Sequence, residues 1–537
     1  MRMMETIKSG GVYLIAEMSA NHGGRLEDAL KIVRMAAKAG ADCIKIQTYT
    51  ADTMTIPCDN EYFRIQSGLW QGRTLYDLYT EAATPWEWHA PIRDECAKQG
   101  VNFLSTPFDT SAVDFLESLG VGAYKVASFE LADLPLVRYV AAKGKPLVLS
   151  CGMAAEEEIE EAIAAARSQG CQDIVLLKCT SEYPARFENM HLNAIPAMMR
   201  RFGVPVGLSD HSTGGAAAVA AVALGACVVE KHVCLSRGMD TPDSAFSMEP
   251  EEFAQMAKDI RRAKQALGEA KMGMNEGEQD SRIFRRSVFA VRDIAQGDIF
   301  TEENIRVIRP GYGLPPKYFE ALQGVYAGAP VQRGEPLDFS HIKGAVLFLT
   351  NGEAALPLYR QFMMRENVFL YGEKLTVDFI RAVQPAFVVS CNYQYIIPGE
   401  VLRLISPRAV NLHISLLPWN RGASPNFFSF YEDTPKGVSV HLLDEGIDTG
   451  NILCQKEVLL DAGEHTFETA YQKLHAEMQA LFLKNWEDIR QGAITPRNQT
   501  EEGSFHTKAE LAALYRRYPF EWGENIADVM RILKGAP

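Results

Sequence analysis

The sequence predicts an α/β chain led by a TIM (β/α)8 barrel. Three observations predict it. Short β-like runs alternate with helical patterns over residues 12–267, the signature of βα units. There are eight such runs in about 250 residues, the size of this barrel. Nearly every run ends in polar or ionisable residues, and in a barrel those ends meet at one mouth, where the chemistry sits.

The runs are YLIAEM (13–18), CIKIQT (43–48), NFLSTPF (102–108), YKVASFE (124–130), LVLSCGM (147–153), IVLLKCT (174–180), VGLSDH (206–211) and CVVEKH (227–232). Helical patterns such as LEDALKIVRMAAKAGA and EEEIEEAIAAARSQG lie between them. A doubly wound sheet could also hold eight strands, but no GxGxxG follows the first. The polar ends are Glu17, Lys45, Gln47, Thr106, Lys125, Ser128, Glu130, Ser150, Ser181, Asp210, His211, Lys231 and His232. All are expected to converge. The barrel is placed at 1–267, and the polar, glycine-bearing segment 268–285 reads as a linker. Residues 286–342 form a small unit with β-like runs RSVFAVRDI and IRVIRP. From 345 to 537 a second α/β domain follows, with strands at AVLFLT, FVVSCN, AVNLHIS and VSVHLL and an amphipathic helix over 466–490.

The 537 residues suggest two to four domains. A net charge of -14 argues against non-specific nucleic-acid binding. The ten cysteines are scattered without a CxxC pair, which reads as buried free thiols in a reducing compartment. No 18-residue apolar window exists, so no membrane span is expected. The N-terminus lacks the apolar core of a signal peptide. The cytoplasm is the expected compartment.

His211 and His232 end neighbouring strands, so two imidazoles can meet on one cation, and imidazole suits Mn, Fe, Co or Zn better than Mg or Ca. With two protein ligands the site would be open, as in catalysis. Lys45 and Lys125 sit inside apolar strands, which is unusual unless they are paired or face a site. With Thr106, Ser128, Ser150, Ser181 and Ser209 they form a cationic cup suited to a small ligand carrying carboxylate and phosphate. The same lysines also suit a Schiff-base aldolase, which would need an amine rather than a metal.

The motifs IAEMSANHGG, IKIQTYTADTMT, FLSTPFD, YKVASFE, CTSEYPA, VGLSDHSTG and EKHVCLSRGMDTPDSAFSMEPEEF resemble the sialic acid synthase family. AEMSANH, DNEYF and TPWEW look most like its pseudaminic acid synthase branch. FRRSVFAVRDIAQGDIFTEENIRVIRPGYGL resembles the antifreeze-like (SAF) domain of those synthases. The resemblance implies a divalent metal (Mn, Co or Mg) on His211 and His232. It implies phosphoenolpyruvate on Lys45, Thr106, Lys125, Ser128, Ser150, Ser181 and Ser209, although the family often has asparagine where Ser181 stands. Gln47, Glu130, Tyr183 and Asp243 would touch the sugar, a diamino-trideoxyhexose, and Glu17 would position the attacking water. Arg309 would reach a partner subunit's barrel in a domain-swapped homodimer.

Asn411 and His413 lie two apart in a strand and so share a face. Asp448 follows the next strand. An imidazole, a carboxylate and an amide are the parts of acyl transfer. NLHISLLPWNRGASPNFFSF and VHLLDEGIDTGNIL resemble the formyltransferases that use 10-formyltetrahydrofolate, which implies a Rossmann-like domain. By that likeness His413 is the base, Asn411 holds the oxyanion and Asp448 orients the site. The acceptor would be an amino sugar, in free or nucleotide-linked form. The other reading is a legionaminic or sialic acid synthase with a non-catalytic binding module.

Overall fold

The computed structural model describes residues 2–499 and 503–535. The chain divides into two compact units, Met1–Lys271 and Met272–Pro537.

The first unit is a nearly closed parallel barrel of β1 (Tyr13–Glu17), β2 (Cys43–Thr48), β3 (Asn102–Pro107), β4 (Tyr124–Val126), β5 (Leu147–Ser150), β6 (Ile174–Cys179), β7 (Val206–Asp210) and β8 (Val228–His232). Their order is β3-β2-β1-β8-β7-β6-β5-β4, with β3 and β4 side by side but not joined by a ladder. Side chains alternate across a strand, and this sets what fills the barrel. Tyr13, Ile15, Cys43, Leu104, Val148 and Val175 form a buried inner cluster, with Met3 of the short helix Met3–Lys8 packed into it. Moving on by two residues along the same strands reaches Glu17, Lys45, Thr106 and Ser150, so alternation alone aims them inward. Gly207 continues the inner row of β7. A Cβ there would lie 2.4 Å from the Val228 carbonyl oxygen, so a side chain would force β7 from β8.

The outer faces of the strands pack on amphipathic helices. Leu26–Lys38 buries Ala29, Ile32, Val33 and Ala36, an i, i+3, i+4, i+7 stripe. Asp109 caps helix Thr110–Ser118 by accepting from the Ser111 and Ala112 N–H groups, satisfying donors the helix leaves open. All eight expected strands form. YKVASFE is shorter than expected: its strand ends at Val126, and Ser128–Glu130 turn into one 3-10 turn.

In the second unit, β9 (Ser287–Ala290) and β10 (Ile305–Ile308) pair antiparallel. A six-stranded sheet follows, ordered β12-β11-β13-β14-β16-β17. It comprises β11 (Val346–Leu349), β12 (Val368–Tyr371), β13 (Phe387–Cys391), β14 (Ala409–His413), β16 (Gly437–Leu442) and β17 (Ile452–Glu457). β15 (Arg421–Gly422) and β18 (Phe505–His506) form a separate short ladder. Sequence patterning does not reveal β12, β15, β17 or β18. β12 is only four residues long, and β17 is a half-exposed edge strand without clean alternation.

The two faces of this sheet serve different neighbours. Val346, Phe348, Val389 and Val410 face the long helix Phe467–Gln491, whose Leu474, Met478, Phe482 and Trp486 are buried against them. The alternate residues Leu347, Leu349, Phe369 and Val388 share one core with Val288, Phe300, Leu322 and Leu337 of the small β unit. Phe339 packs edge-on against Phe379 at 4.8 Å, and Phe379 stacks on Tyr371 at 4.1 Å. The small unit is therefore fused to the α/β domain through a continuous apolar core. Residues 268–285, in contrast, are exposed throughout.

Two candidate active sites

Lys45 is the hub of the barrel mouth. Its Nζ lies 2.7 Å from Glu17 Oε2 and 3.5 Å from Glu230 Oε1, and donates to Thr106 Oγ1 at 3.2 Å. Lys125 Nζ is 3.7 Å from the same Glu230 oxygen, and Ser209 donates to it at 3.3 Å. Gln47 donates to Glu17 and to Ser19. Ser128 and Ser181 converge on Gly152. A Cβ at Gly152 would lie 2.2 Å from Ser181 Oγ and 2.8 Å from Ser128 Oγ, so only glycine leaves both hydroxyls in place.

Burial and charge compete at each of these groups. For Glu17 burial wins over Lys45 and raises its pKa. For Glu230 burial acts in the same sense, but Lys125 and Lys45 outweigh it and hold the carboxylate ionised. Burial disfavours the Lys45 ammonium, yet Glu17 and Glu230 restore and raise its pKa. Lys125 has less compensation, and burial lowers it. Glu130 is pushed up to about 7 by burial, against the pull of Lys125. Among the described residues, Ser150 Oγ, Glu130 Oε2 and Glu230 Oε2 are buried without a hydrogen-bond partner, the kind of orphan that marks a ligand site.

His211 and His232 face each other edge-on with ring centroids 5.4 Å apart. His211 Nδ1 is engaged by the Thr180 carbonyl at 3.0 Å and by Cys179 Sγ at 3.8 Å. Burial would neutralise His211, but Cys179 raises its pKa. The thiol is itself held down at about 7, because the imidazole outweighs the effect of burial. His232 is kept neutral by burial and by the cations around it. Its Nδ1 is buried with no hydrogen-bond partner and stands 3.9 Å from Asp243 Oδ2. A neutral imidazole with an orphaned nitrogen fits a cation ligand. The described residues contain no cluster of three or more His, Cys, Asp or Glu suited to a metal. The donor set thus fits an open two-imidazole site, completed by water or substrate. The Tyr183 ring leans on His211 with centroids 4.3 Å apart and planes tilted by 38°, and Phe246 bridges Tyr183 and His232.

Two expected members of the mouth are elsewhere. Asp210 and Lys231 have the opposite parity to His211 and His232, so they point to the outer face of the strands. There they pair with each other at 2.8 Å. Glu230 takes the inward place; it is absent from the residues expected at the mouth, although parity with His232 predicts it. Arg309 lies in the second unit and is exposed.

The second site is built on β14. Asn411 Nδ2 donates to Asp448 Oδ1 at 2.9 Å and contacts His441 Nε2 at 3.2 Å. His413 Nε2 is 3.0 Å from the Asn420 carbonyl, and its Nδ1 is 3.6 Å from Asp448 Oδ2. A carbonyl only accepts, so Nε2 carries the proton in the neutral ring. That leaves the Nδ1 lone pair as the basic position, facing Asp448. The Gly422 N–H also donates to Asp448. Burial would raise the Asp448 pKa, but His413 and His441 drive it well below the usual carboxylate range. Asp448 stands at φ +54°, a left-handed conformation that a buried network can hold. His441 is not legible as a site residue in the sequence. It is the cross-strand partner of Asn411, and that register is known only once the strands are paired.

Two lysines and two imidazoles meet at the barrel mouth, and Asn411, His413 and Asp448 meet in the second unit, an arrangement of the kind enzymes use. The chain belongs to the NeuB family, whose model matches residues 32–272. A SAF domain matches residues 285–343 and a formyl transferase domain matches residues 365–485. The chain is 44% identical over 332 residues to a pseudaminic acid synthase of Campylobacter jejuni, covering 62% of this chain and 97% of that one. It is 39% identical over 331 residues to the pseudaminic acid synthase of Helicobacter pylori, covering 62% and 97% respectively. Among solved structures, the formyltransferase PseJ from Anoxybacillus kamchatkensis is 34% identical, with a TM-score of 0.32. It covers 35% of this chain and 97% of that one, and was solved with UDP-4,6-dideoxy-4-formamido-L-AltNAc and tetrahydrofolate. Among the described residues, no helix is long and apolar enough to cross a membrane.

Proposed function

We propose that this chain makes a formylated nine-carbon sugar acid of the pseudaminic type. The barrel would condense phosphoenolpyruvate with a 2,4-diacylamino-2,4,6-trideoxyhexose and release phosphate. The C-terminal domain would use 10-formyltetrahydrofolate to formylate the 4-amino group of the hexose precursor, in its nucleotide-linked form. The supporting observation is the meeting of Lys45, Lys125 and the imidazole pair in one mouth, in a chain 44% identical to a pseudaminic acid synthase along 97% of its length. The working domains are 1–267, 286–342 and 345–537, with 268–285 as linker.

Lys45 and Lys125 bind the phosphate and carboxylate, aided by Thr106, Ser128, Ser150, Ser181 and Ser209. Glu130, Gln47, Tyr183 and Asp243 hold the sugar. Carbon 3 of phosphoenolpyruvate attacks the aldehyde carbon, and water positioned by Glu17 adds at carbon 2. The carbon–oxygen bond to phosphate then breaks. A divalent cation on His211 and His232, such as Mn, Co or Mg, would supply Lewis-acid polarisation of the aldehyde oxygen. Arg309 is assigned to the sugar of a partner subunit in a domain-swapped dimer.

In the second site, His413 Nδ1 takes the proton of the attacking amine, and Asp448 stabilises the imidazolium. Asn411 Nδ2 donates to Asp448 and also contacts His441 Nε2. An oxyanion held by Asn411 would take the place of one of these contacts. The test uses the intact chain, because the shared core forbids a clean cut at residue 343. Phosphoenolpyruvate, metal and a panel of diamino-hexoses are supplied with and without formyl donor, and the products are weighed. No condensation with any member would refute the barrel assignment, and no formyl gain on any amine would refute the second.

A further inference from the structure

Resting on the reading that the barrel condenses a 6-deoxy amino sugar, we infer that Trp70 is the residue that reads carbon 6 of that sugar. Its indole closes the aromatic side of the mouth and selects a methyl group over a hydroxymethyl group. Trp70 stands on the long loop that precedes helix Leu75–Ala82, and this loop folds back on itself. The Ile65 N–H donates to the Arg73 carbonyl at 2.9 Å, the Gly72 N–H to the Ile65 carbonyl at 2.8 Å and the Leu75 N–H to the Phe63 carbonyl at 2.9 Å. Gly68 and Gly72 take φ +85° and +86°, left-handed turns that favour glycine. Arg64 ties the stem by donating to the Asp59 and Gly72 carbonyls. A loop braced in this way holds Trp70 in place without a strand or helix beneath it.

The indole is fixed from two directions. Its Nε1 donates to the Pro242 carbonyl at 3.0 Å, and Pro242 precedes Asp243, whose carboxylate approaches His232. Its ring meets Tyr183 with centroids 5.8 Å apart and planes at 49°. Tyr183 in turn leans on His211, and Phe246 lies 5.0 Å from His232. Trp70 therefore extends an aromatic group that begins at the imidazole pair and runs from the buried Phe246 to the half-buried Trp70. The group is assembled from the loops after β2, β6 and β8. The lysines and serines suited to phosphoenolpyruvate take no part in it.

This placement separates the two ends of the sugar. The aldehyde carbon belongs at the imidazoles. An open-chain hexose continues from there for five carbon–carbon bonds of about 1.5 Å each, a reach that carries carbon 6 beyond the Tyr183 ring toward the indole. An indole has one donor and no acceptor, and here the donor is spent on Pro242. What Trp70 offers the end of the sugar is an apolar ring. A methyl group gains by covering it, whereas a hydroxymethyl group gives up its water without finding a new partner. An apolar wall discriminates against an added hydroxyl by up to about 100-fold.

The experiment offers the full chain, with Mn and phosphoenolpyruvate, a 2,4-diacetamido-2,4,6-trideoxyhexose and its 6-hydroxy counterpart in competition. The products differ by one oxygen and are counted by mass spectrometry. Binding of each sugar is measured separately by calorimetry. The parent should favour the 6-deoxy sugar by about 10- to 100-fold in kcat/KM. Trp70→Phe should keep most of that preference. Trp70→Ala should cut it by about fivefold or more, through a lower kcat/KM for the 6-deoxy sugar alone, with phosphoenolpyruvate affinity unchanged. Trp70→Gln, which keeps a donor for the Pro242 carbonyl and adds an acceptor, should cut it equally and provides the reading if the alanine variant does not fold. A parent that takes both sugars equally, or variants that lose both in proportion, overturn the proposal and leave the synthase reading standing. If the 6-deoxy sugar binds more tightly and Trp70→Ala or Trp70→Gln removes that difference, but no acid forms, the role of Trp70 stands and the synthase reading fails. Binding of neither sugar overturns both.

Discussion

Glu230 Oε1 lies 3.7 Å from Lys125 Nζ, and both side chains are almost fully buried. The same oxygen is 3.5 Å from Lys45, so one carboxylate faces two buried lysines. Removing one partner of a buried pair costs ~3–5 kcal/mol, because the other charge is left uncompensated. Glu230→Gln should therefore lower the melting temperature. Phosphoenolpyruvate should restore more stability to this variant than to the parent, since its negative charge replaces the missing carboxylate. Thermal melts with and without phosphoenolpyruvate check this; equal shifts would remove Glu230 from the anion site.

His232 should be the more sensitive member of the imidazole pair, because its Nδ1 has no other partner. Chelation should abolish condensation, with Mn or Co restoring it. His232→Ala should lose metal measured by elemental analysis and leave formyl transfer intact. Activity that survives chelation, with borohydride trapping on Lys45 or Lys125, would move the barrel to Schiff-base chemistry.

The eight barrel strands are legible because alternation and strand length are local properties of the chain. Alternation also carries Glu17, Lys45 and Thr106 to the right face. It carries Glu230 as well, once Lys231 and His232 are separated: taking both as one polar strand end puts neighbours on a single face, which no strand allows. The His441–Asn411 contact and the shared core of Phe339, Phe379 and Tyr371 are beyond the reach of sequence. The first needs the antiparallel register of β14 on β16, and the second joins residues that composition assigns to different domains.

That shared core predicts that the two parts of the second unit melt together. Phe339→Ala should cost ~1–3 kcal/mol, since Phe339 is half-buried against the core, and should weaken formyl transfer, although Phe339 lies in the small β unit. Ending the chain at residue 343 should expose Leu322 and Leu337 and cause aggregation. Denaturant unfolding of the Phe339→Ala variant tests this; loss confined to the small unit would show the core to be separable.

Glu130 gives a signed pH dependence. Its pKa is raised by burial from 4.5 to about 7, so between these values the native state holds more protons than the unfolded state. Its contribution to stability is therefore intact below pH 4.5, falls as pH rises through 7, and stays lost above. Glu130→Gln should raise stability at pH 8 by ~1–3 kcal/mol and leave it nearly unchanged at pH 4.5. An equal gain at both values would mean that a buried charge is not the cause.

The central claim is that one chain both condenses and formylates. Its most direct measurement is mass spectrometry of the product made by the intact chain and by its His413→Ala variant. Both receive phosphoenolpyruvate, metal and a diamino-hexose substrate, with and without formyl donor. The parent should yield a nine-carbon acid, with a formyl-bearing product only when the donor is present. The variant should still condense a pre-acylated hexose but gain no formyl group. A formylated product from the variant, or none from the parent on any amine offered, would contradict the claim.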